Sequence, residues 1–86
     1  MYYVYVLKSL VKENKYYTGH TENIALRLSQ HNAGKTKSTK HGKPWEIVYQ
    51  EEYDTRIEAI NREKYLKSGS GREFLKSVFM NKGDHL

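Results

Sequence analysis

The chain has 86 residues, a formal net charge of +5, eight tyrosines and no cysteine. That length allows one domain with a small core. The missing cysteines exclude disulfides, thiolate metal clusters and thiol nucleophiles, and fit a reducing compartment. No apolar run approaches the ~18 residues that a bilayer-spanning helix needs. The segment from Met1 to Leu7 is apolar but carries neither a basic leader nor a cleavage site. A signal peptide is therefore not expected, and the chain reads as a cytoplasmic protein with no membrane partner. The positive balance favours polyanionic partners through phosphate contacts and counterion release, nucleic acid first. The competing reading is a basic surface that only confers solubility.

Tyr2 to Lys8 alternates aromatic and β-branched residues and predicts a strand, with Tyr3, Tyr5 and Leu7 on one face and Val4 and Val6 on the other. Val11 to Asn14 reads as a turn, and Lys15 to Thr18 as a second strand that closes a hairpin and ends at Gly19. Thr21 and Asn23 are candidate caps for a helix from about Glu22 to Ala33, with Ile24, Ala25 and Leu28 on one side and Gly34 as its stop. Lys35 to Pro44 has no acid and no apolar side chain before Pro44, and predicts a basic loop. It is a solvated linker or a phosphate-contacting segment.

Trp45 to Tyr53 predicts a third strand, with Ile47, Tyr49 and Tyr53 facing one way and Val48 the other. Thr55 and Glu58 form a capping box that opens a helix to about Lys67. Ser68-Gly69 breaks it, and a second box, Ser70 to Glu73, opens a helix with the stripe Phe74, Leu75, Val78 and Phe79. Residues 81–86 read as a polar tail behind a single domain over 1–80. The order β-β-α-β-α-α predicts a small three-stranded antiparallel sheet flanked by helices, in the α+β class.

Several polar residues sit where packing does not want them. Glu63 lies within the apolar arc of Ala59, Ile60 and Leu66, where a carboxylate needs a cation. An arginine or lysine would make it a structural ion pair; a hard metal ion would make it a ligand. Arg27 and His31 are four apart on one face of the first helix. They suit phosphate binding and proton transfer, or they lie at the helix border and reach solvent. Tyr5 and Tyr17 fall in strands that should pair, so their hydroxyls can converge at one rim, or both are simply core aromatics. His20 is a turn residue unless its neighbours recruit it. Two phenols, an arginine, histidines and an inward carboxylate beside a basic loop are the parts that phosphodiester hydrolysis needs.

Tyr3-Val4-Tyr5 followed by Tyr17-Thr18-Gly19 resembles the paired motif of the GIY-YIG nuclease superfamily. Arg27, His31 and Glu63 fall where that family has its arginine, a histidine found in several members, and its metal-binding glutamate. Arg62 to Glu73 resembles the small stand-alone bacterial members, and the likeness runs from Met1 to about Phe79. The sequence departs from the pattern in having Tyr3 for the first glycine, Val4 for the central isoleucine and Thr18 within the second motif. It also lacks a clear match to the asparagine that follows the glutamate in many members.

The resemblance implies a metal-dependent endonuclease acting on DNA, ahead of RNA, with structure selectivity and a link to repair or recombination. It implies Tyr5 as base or proton relay, Tyr17 orienting water or phosphate, and Arg27 stabilising phosphoryl charge. His31 would bond the phosphate or assist proton transfer, His20 would tune Tyr5, and Glu63 would hold one Mg²⁺ or Mn²⁺. Lys35, Lys37, Lys40, His41 and Lys43 would track the nucleic-acid backbone without reading bases. A monomer or weak dimer is expected, with a protein partner as one source of specificity. Two other readings are an inactive nucleic-acid-binding module and a protein-interaction domain.

Overall fold

The structure is a computed structural model that describes residues 1–81. Beyond Asn81, the last residue of the final helix, the expected polar tail lies outside the described residues. Strands β1 (Tyr2–Ser9), β2 (Tyr16–Thr21) and β3 (Trp45–Tyr53) form an antiparallel sheet in the order β2-β1-β3. Helix α1 (Ile24–Asn32) follows β2, and α2 (Arg56–Lys67) and α3 (Gly69–Asn81) follow β3. This is the α+β arrangement expected from the order of elements.

The central strand is covered on both sides, so Val4, Tyr5, Val6 and Leu7 are all buried. Val4 and Val6 pack with Ala59, Leu66 and Leu75, beneath α2 and α3. Tyr5 and Leu7 pack with Trp45, Ile24 and Leu28, beneath α1. Each such aliphatic side chain contributes ~1.5–3 kcal/mol on burial.

Strand β3 departs from simple alternation. Val6 is opposite Tyr49, but the next residue, Leu7, is opposite Ile47. Val48 is the extra residue of a bulge, and a one-residue insertion reverses the facing of everything beyond it. Ile47 therefore joins the α1 side, while Val48, Tyr49 and Tyr53 pack on the α2–α3 side. This corrects the expected common face for Ile47, Tyr49 and Tyr53. Strand β2 also runs past Gly19 to Thr21, because pairing with β1 continues to Tyr3. His20 is thus a strand residue rather than a turn residue.

The hairpin is held at its base by Ser9. Its Oγ donates to the Gly42 carbonyl at 2.5 Å and accepts from the amides of Val11 and Lys12 at 3.2 and 2.9 Å. Helix α1 is shorter than expected because Asn23 caps it, accepting from Leu26 N at 3.0 Å. Its Ala25 is exposed rather than packed. Gly34 adopts φ +78°, which favours glycine just beyond the helix.

The Thr55–Glu58 capping box of α2 is present. Ser68, not Ser70, organises the start of α3: its Oγ accepts from Gly71 N at 3.2 Å, and its carbonyl accepts from Arg72 N at 2.9 Å. A side chain at Gly71 would overlap the Tyr65 carbonyl, so glycine sets how closely the two helices meet.

The basic segment is not an extended loop. Lys37–Gly42 forms a 3₁₀ turn with Thr39 and Gly42 buried. The Trp45 indole donates to the Thr39 carbonyl at 2.9 Å, which ties the turn to the start of β3.

Candidate active site

Tyr5 projects from β1 toward α1 and stands directly opposite Gly19 of β2. A Cβ on Gly19 would lie 2.7 Å from the Tyr5 hydroxyl and 3.0 Å from the Tyr17 ring. The missing side chain is therefore the space into which Tyr5 reaches. Tyr17 shares the α1 face, with its ring centroid 6.3 Å from that of Tyr5.

His31 arrives from the last turn of α1 and is fully buried beside both rings, at 5.9 Å from Tyr5 and 5.0 Å from Tyr17. Its Nε2 lies 2.9 Å from the Tyr5 hydroxyl and its Nδ1 lies 2.7 Å from Thr39 Oγ1. Thr39 Oγ1 in turn donates to the Thr36 carbonyl at 3.4 Å. In the tautomer in which that hydroxyl proton goes to the carbonyl, Thr39 accepts from Nδ1–H. Nε2 is then the bare nitrogen and accepts from the Tyr5 phenol. In that tautomer the chain of bonds runs one way, from phenol to imidazole to hydroxyl to carbonyl. His31 is not at a solvent border, and the basic turn anchors it through Thr39.

Arg27, one helical turn before His31, is half-buried and donates from Nη1 to Gln30 Oε1 at 3.0 Å. Its charge reaches both neighbours. Burial pushes the Tyr5 phenol up to about 12; Arg27 pulls it back, and Tyr17 and Glu63 add to the rise. Burial first, and then Arg27, holds the His31 imidazole below its usual range. A neutral phenol and a neutral imidazole therefore face one another.

Glu63 and His20 occupy the other face of the sheet. His20 pairs with Val4 in the ladder and so points with it toward α2. Its Nδ1 lies 2.5 Å from Glu63 Oε1, and Lys67 Nζ lies 2.7 Å from Oε2. His20 thus bonds Glu63 rather than Tyr5. The Glu63 side chain keeps 18 % exposure, so it stands at the border of the apolar arc rather than within it. Burial pushes its carboxyl up, but the bonds from Lys67 and His20 outweigh this and hold it below the usual carboxylate range. The two halves meet across Gly19, close enough for the Glu63 charge to act on the Tyr5 hydroxyl.

Among the described residues, no three or more His, Cys, Asp or Glu side chains gather as a metal cage. A hard ion such as Mg²⁺ needs only one or two carboxylates, with water and phosphate completing its shell. Glu63 fits that requirement, because half-exposed Lys67 can turn to solvent and release Oε2. Lys35, Lys37, Lys40, His41 and Lys43 are all exposed on and around the 3₁₀ turn.

Two features were not anticipated from the sequence. Thr39 sits among lysines, and nothing in its local pattern marks it as the partner of a buried imidazole. Glu51 lies between Tyr49 and Tyr53 on the α2–α3 side, where strand parity alone places it. It accepts from Arg62 Nε and Nη2 at 2.8 and 3.1 Å, from the Tyr53 hydroxyl at 2.5 Å and from the Tyr49 hydroxyl. Burial pushes its carboxyl up, and Arg62 with the two phenols more than offsets it.

A three-stranded sheet with paired tyrosines on adjacent strands, an arginine and a histidine on the first helix and a glutamate on the second defines a nuclease-type domain. Residues 1–76 match the model of the GIY-YIG catalytic domain, and the chain belongs to that family. It is 42% identical over 78 residues to the UPF0213 protein of Staphylococcus haemolyticus (strain JCSC1435), covering 90% of this chain and 93% of the relative. UPF0213 proteins of Staphylococcus saprophyticus and Staphylococcus epidermidis are 38% and 37% identical, with the same coverage. Those names specify no activity.

Proposed function

We propose that the protein is a metal-dependent endonuclease that hydrolyses phosphodiester bonds in DNA, selects its substrate by structure, and serves repair or recombination. The observation that carries this is the 2.9 Å contact between the Tyr5 hydroxyl and His31 Nε2, in a bond chain beside Arg27. An isolated phenol raised to about 12 is a poor base at neutral pH. A phenol that can pass its own proton to a neutral imidazole is a workable relay. Tyr5 oxygen takes a proton from the attacking water as its O–H proton moves to Nε2, and Thr39 keeps that nitrogen free.

Arg27 offsets the charge that grows on the phosphoryl oxygens, and Tyr17 positions water or phosphate at the rim. Glu63, oriented by His20, would hold one Mg²⁺ or Mn²⁺. An ion held there would supply Lewis-acid polarisation of a phosphoryl oxygen and offset charge at the leaving group. Lys35, Lys37, Lys40, His41 and Lys43 contact the flanking backbone.

The test is a panel of labelled single-stranded, duplex, flap, junction and RNA substrates, with Mg²⁺ and then Mn²⁺. Cleavage of at least one DNA substrate by the parent, lost in Tyr5→Phe and in Glu63→Gln, is the expected result. A second reading, an inactive nucleic-acid-binding module, has one observation in its favour: Tyr5 is only 2 % exposed. Salt-sensitive binding with no product in either metal would decide for it.

A further inference from the structure

Beside the candidate active site, between the free edge of β2 and helix α3, lies a groove of about 720 Å³ that none of the motif residues explains. Its cations are Lys15, Lys67, Arg72 and Lys76, over a floor that includes Leu66 and Leu75. No carboxylate lines it, and among the described residues Lys15, Arg72 and Lys76 make no ion pair. At its wall Tyr16 stacks on Phe79, with centroids 5.5 Å apart and planes 13° from parallel. Tyr16 is nonetheless 42% exposed. An aromatic ring with a solvent-facing part thus stands beside cations that no carboxylate in the groove neutralises.

We propose that this groove holds an unpaired strand of nucleic acid as it leaves the scissile phosphate, with Lys15, Arg72 and Lys76 on the backbone and Tyr16, backed by Phe79, stacking a base. Cations that track phosphates and an aromatic platform for bases are the two features that single-strand binding requires. A duplex presents phosphates but keeps its base faces stacked inside, so it has no use for the Tyr16 ring. The groove is also continuous with the catalytic cluster. Tyr17 lines it and packs against His31, and Lys67 lines it and holds Glu63. A strand in the groove would therefore pass beside Lys67, the partner of the candidate metal ligand. The inference takes the chemistry of its ligand from the nuclease reading. The groove is distinct from the basic turn at residues 37–42, which anchors on the α1 side of the sheet.

The test uses the full chain in EDTA, so that binding is read without cleavage. Fluorescence anisotropy follows an end-labelled oligothymidylate and a blunt duplex of equal length over a range of salt. Tyr16→Ala should weaken the unpaired oligonucleotide about tenfold and leave the duplex nearly unchanged. Lys15→Gln, Arg72→Gln and Lys76→Gln together should reduce the salt slope for the unpaired strand by about two, at ~0.7 per phosphate. Lys37→Gln with Lys40→Gln is the control for the turn. Circular dichroism checks that each variant is folded.

Equal losses for both nucleic acids in Tyr16→Ala, or loss only in the turn variants, would overturn the proposal. So would an acidic peptide that binds as tightly through the same residues, since the groove would then be a protein site. The substrate panel tests catalysis separately. An inactive parent that still binds unpaired strand through the groove overturns the nuclease reading and leaves this one standing.

Discussion

Gly19 stands directly across the β1–β2 ladder from Tyr5, and the Tyr5 hydroxyl occupies the space that a side chain at Gly19 would fill. A Cβ there would approach Tyr5 Oη to 2.7 Å and Cζ to 2.9 Å. Tyr5 is wedged between strand and helix and cannot withdraw without leaving His31. Gly19→Ala should therefore destabilise the fold by ~1–3 kcal/mol, as overpacking does, and should uncouple Tyr5 from His31. Urea unfolding measures the first effect. Cleavage should fall far more than stability explains; equal activity in the folded variant would mean that Tyr5 need not sit where it does.

Thr39 is the remote end of the bond chain that starts at Tyr5. Thr39→Val keeps the shape but removes the acceptor for Nδ1–H, leaving a buried donor unpaired at a cost of ~1–3 kcal/mol. His31 would then favour the other tautomer, with its proton on Nε2 and no lone pair there to accept from the Tyr5 hydroxyl. The expected result is a large fall in cleavage rate with substrate affinity preserved. ¹⁵N chemical shifts of the imidazole, which distinguish the tautomers, should invert. A variant with parental shifts and rate would remove Thr39 from the relay.

Acid should weaken the fold in two stages. The His31 imidazole is held below its usual 6.5 in the folded chain. Between that lowered value and 6.5 the unfolded chain binds more protons, so this contribution is complete above 6.5 and falls as the pH drops through that window. The Glu63 and Glu51 carboxyls are held below their usual 4.5, so their contribution is present above 4.5 and fades as pH falls through the lowered values. At the alkaline end, Tyr5 and Tyr49 are raised from 10.0 to about 12, so folding loses stability between those values. Urea midpoints for the parent and for His31→Gln check the first stage. The parental decline just below neutrality should be absent from the variant.

Arg62 serves the fold rather than the chemistry. Its guanidinium holds Glu51 with two bonds and lies 4.8 Å from the Tyr65 ring centroid and 5.1 Å from that of Phe74. Arg62→Met should cost ~1–3 kcal/mol by leaving a half-buried carboxylate with only two phenols. The Glu51 carboxyl should then titrate at higher pH, which side-chain NMR can follow. Cleavage per folded molecule should be unchanged, unlike Glu63→Gln, one position along the same helix.

The amino-acid sequence by itself determined the strands and α-helices and their order. β-Branched and aromatic alternation makes strands of Tyr2 to Ser9 and Trp45 to Tyr53, and the Thr55–Glu58 box starts α2. These are local preferences, set by side-chain shape and by hydrogen bonds within a few residues. The same periodicities drew attention to Arg27, His31 and Glu63 as polar side chains at odds with packing. Tertiary structure decided what each of them meets. The bulge at Val48 reverses the facing of β3 partway along, which alternation cannot anticipate because it depends on register against Leu7. Thr39 finds His31 across eight residues, and Glu63 finds His20 across 43. Those bonds exist because burial removes water and leaves each polar atom to find whatever partner the packed chain brings within reach. No local pattern records that partner.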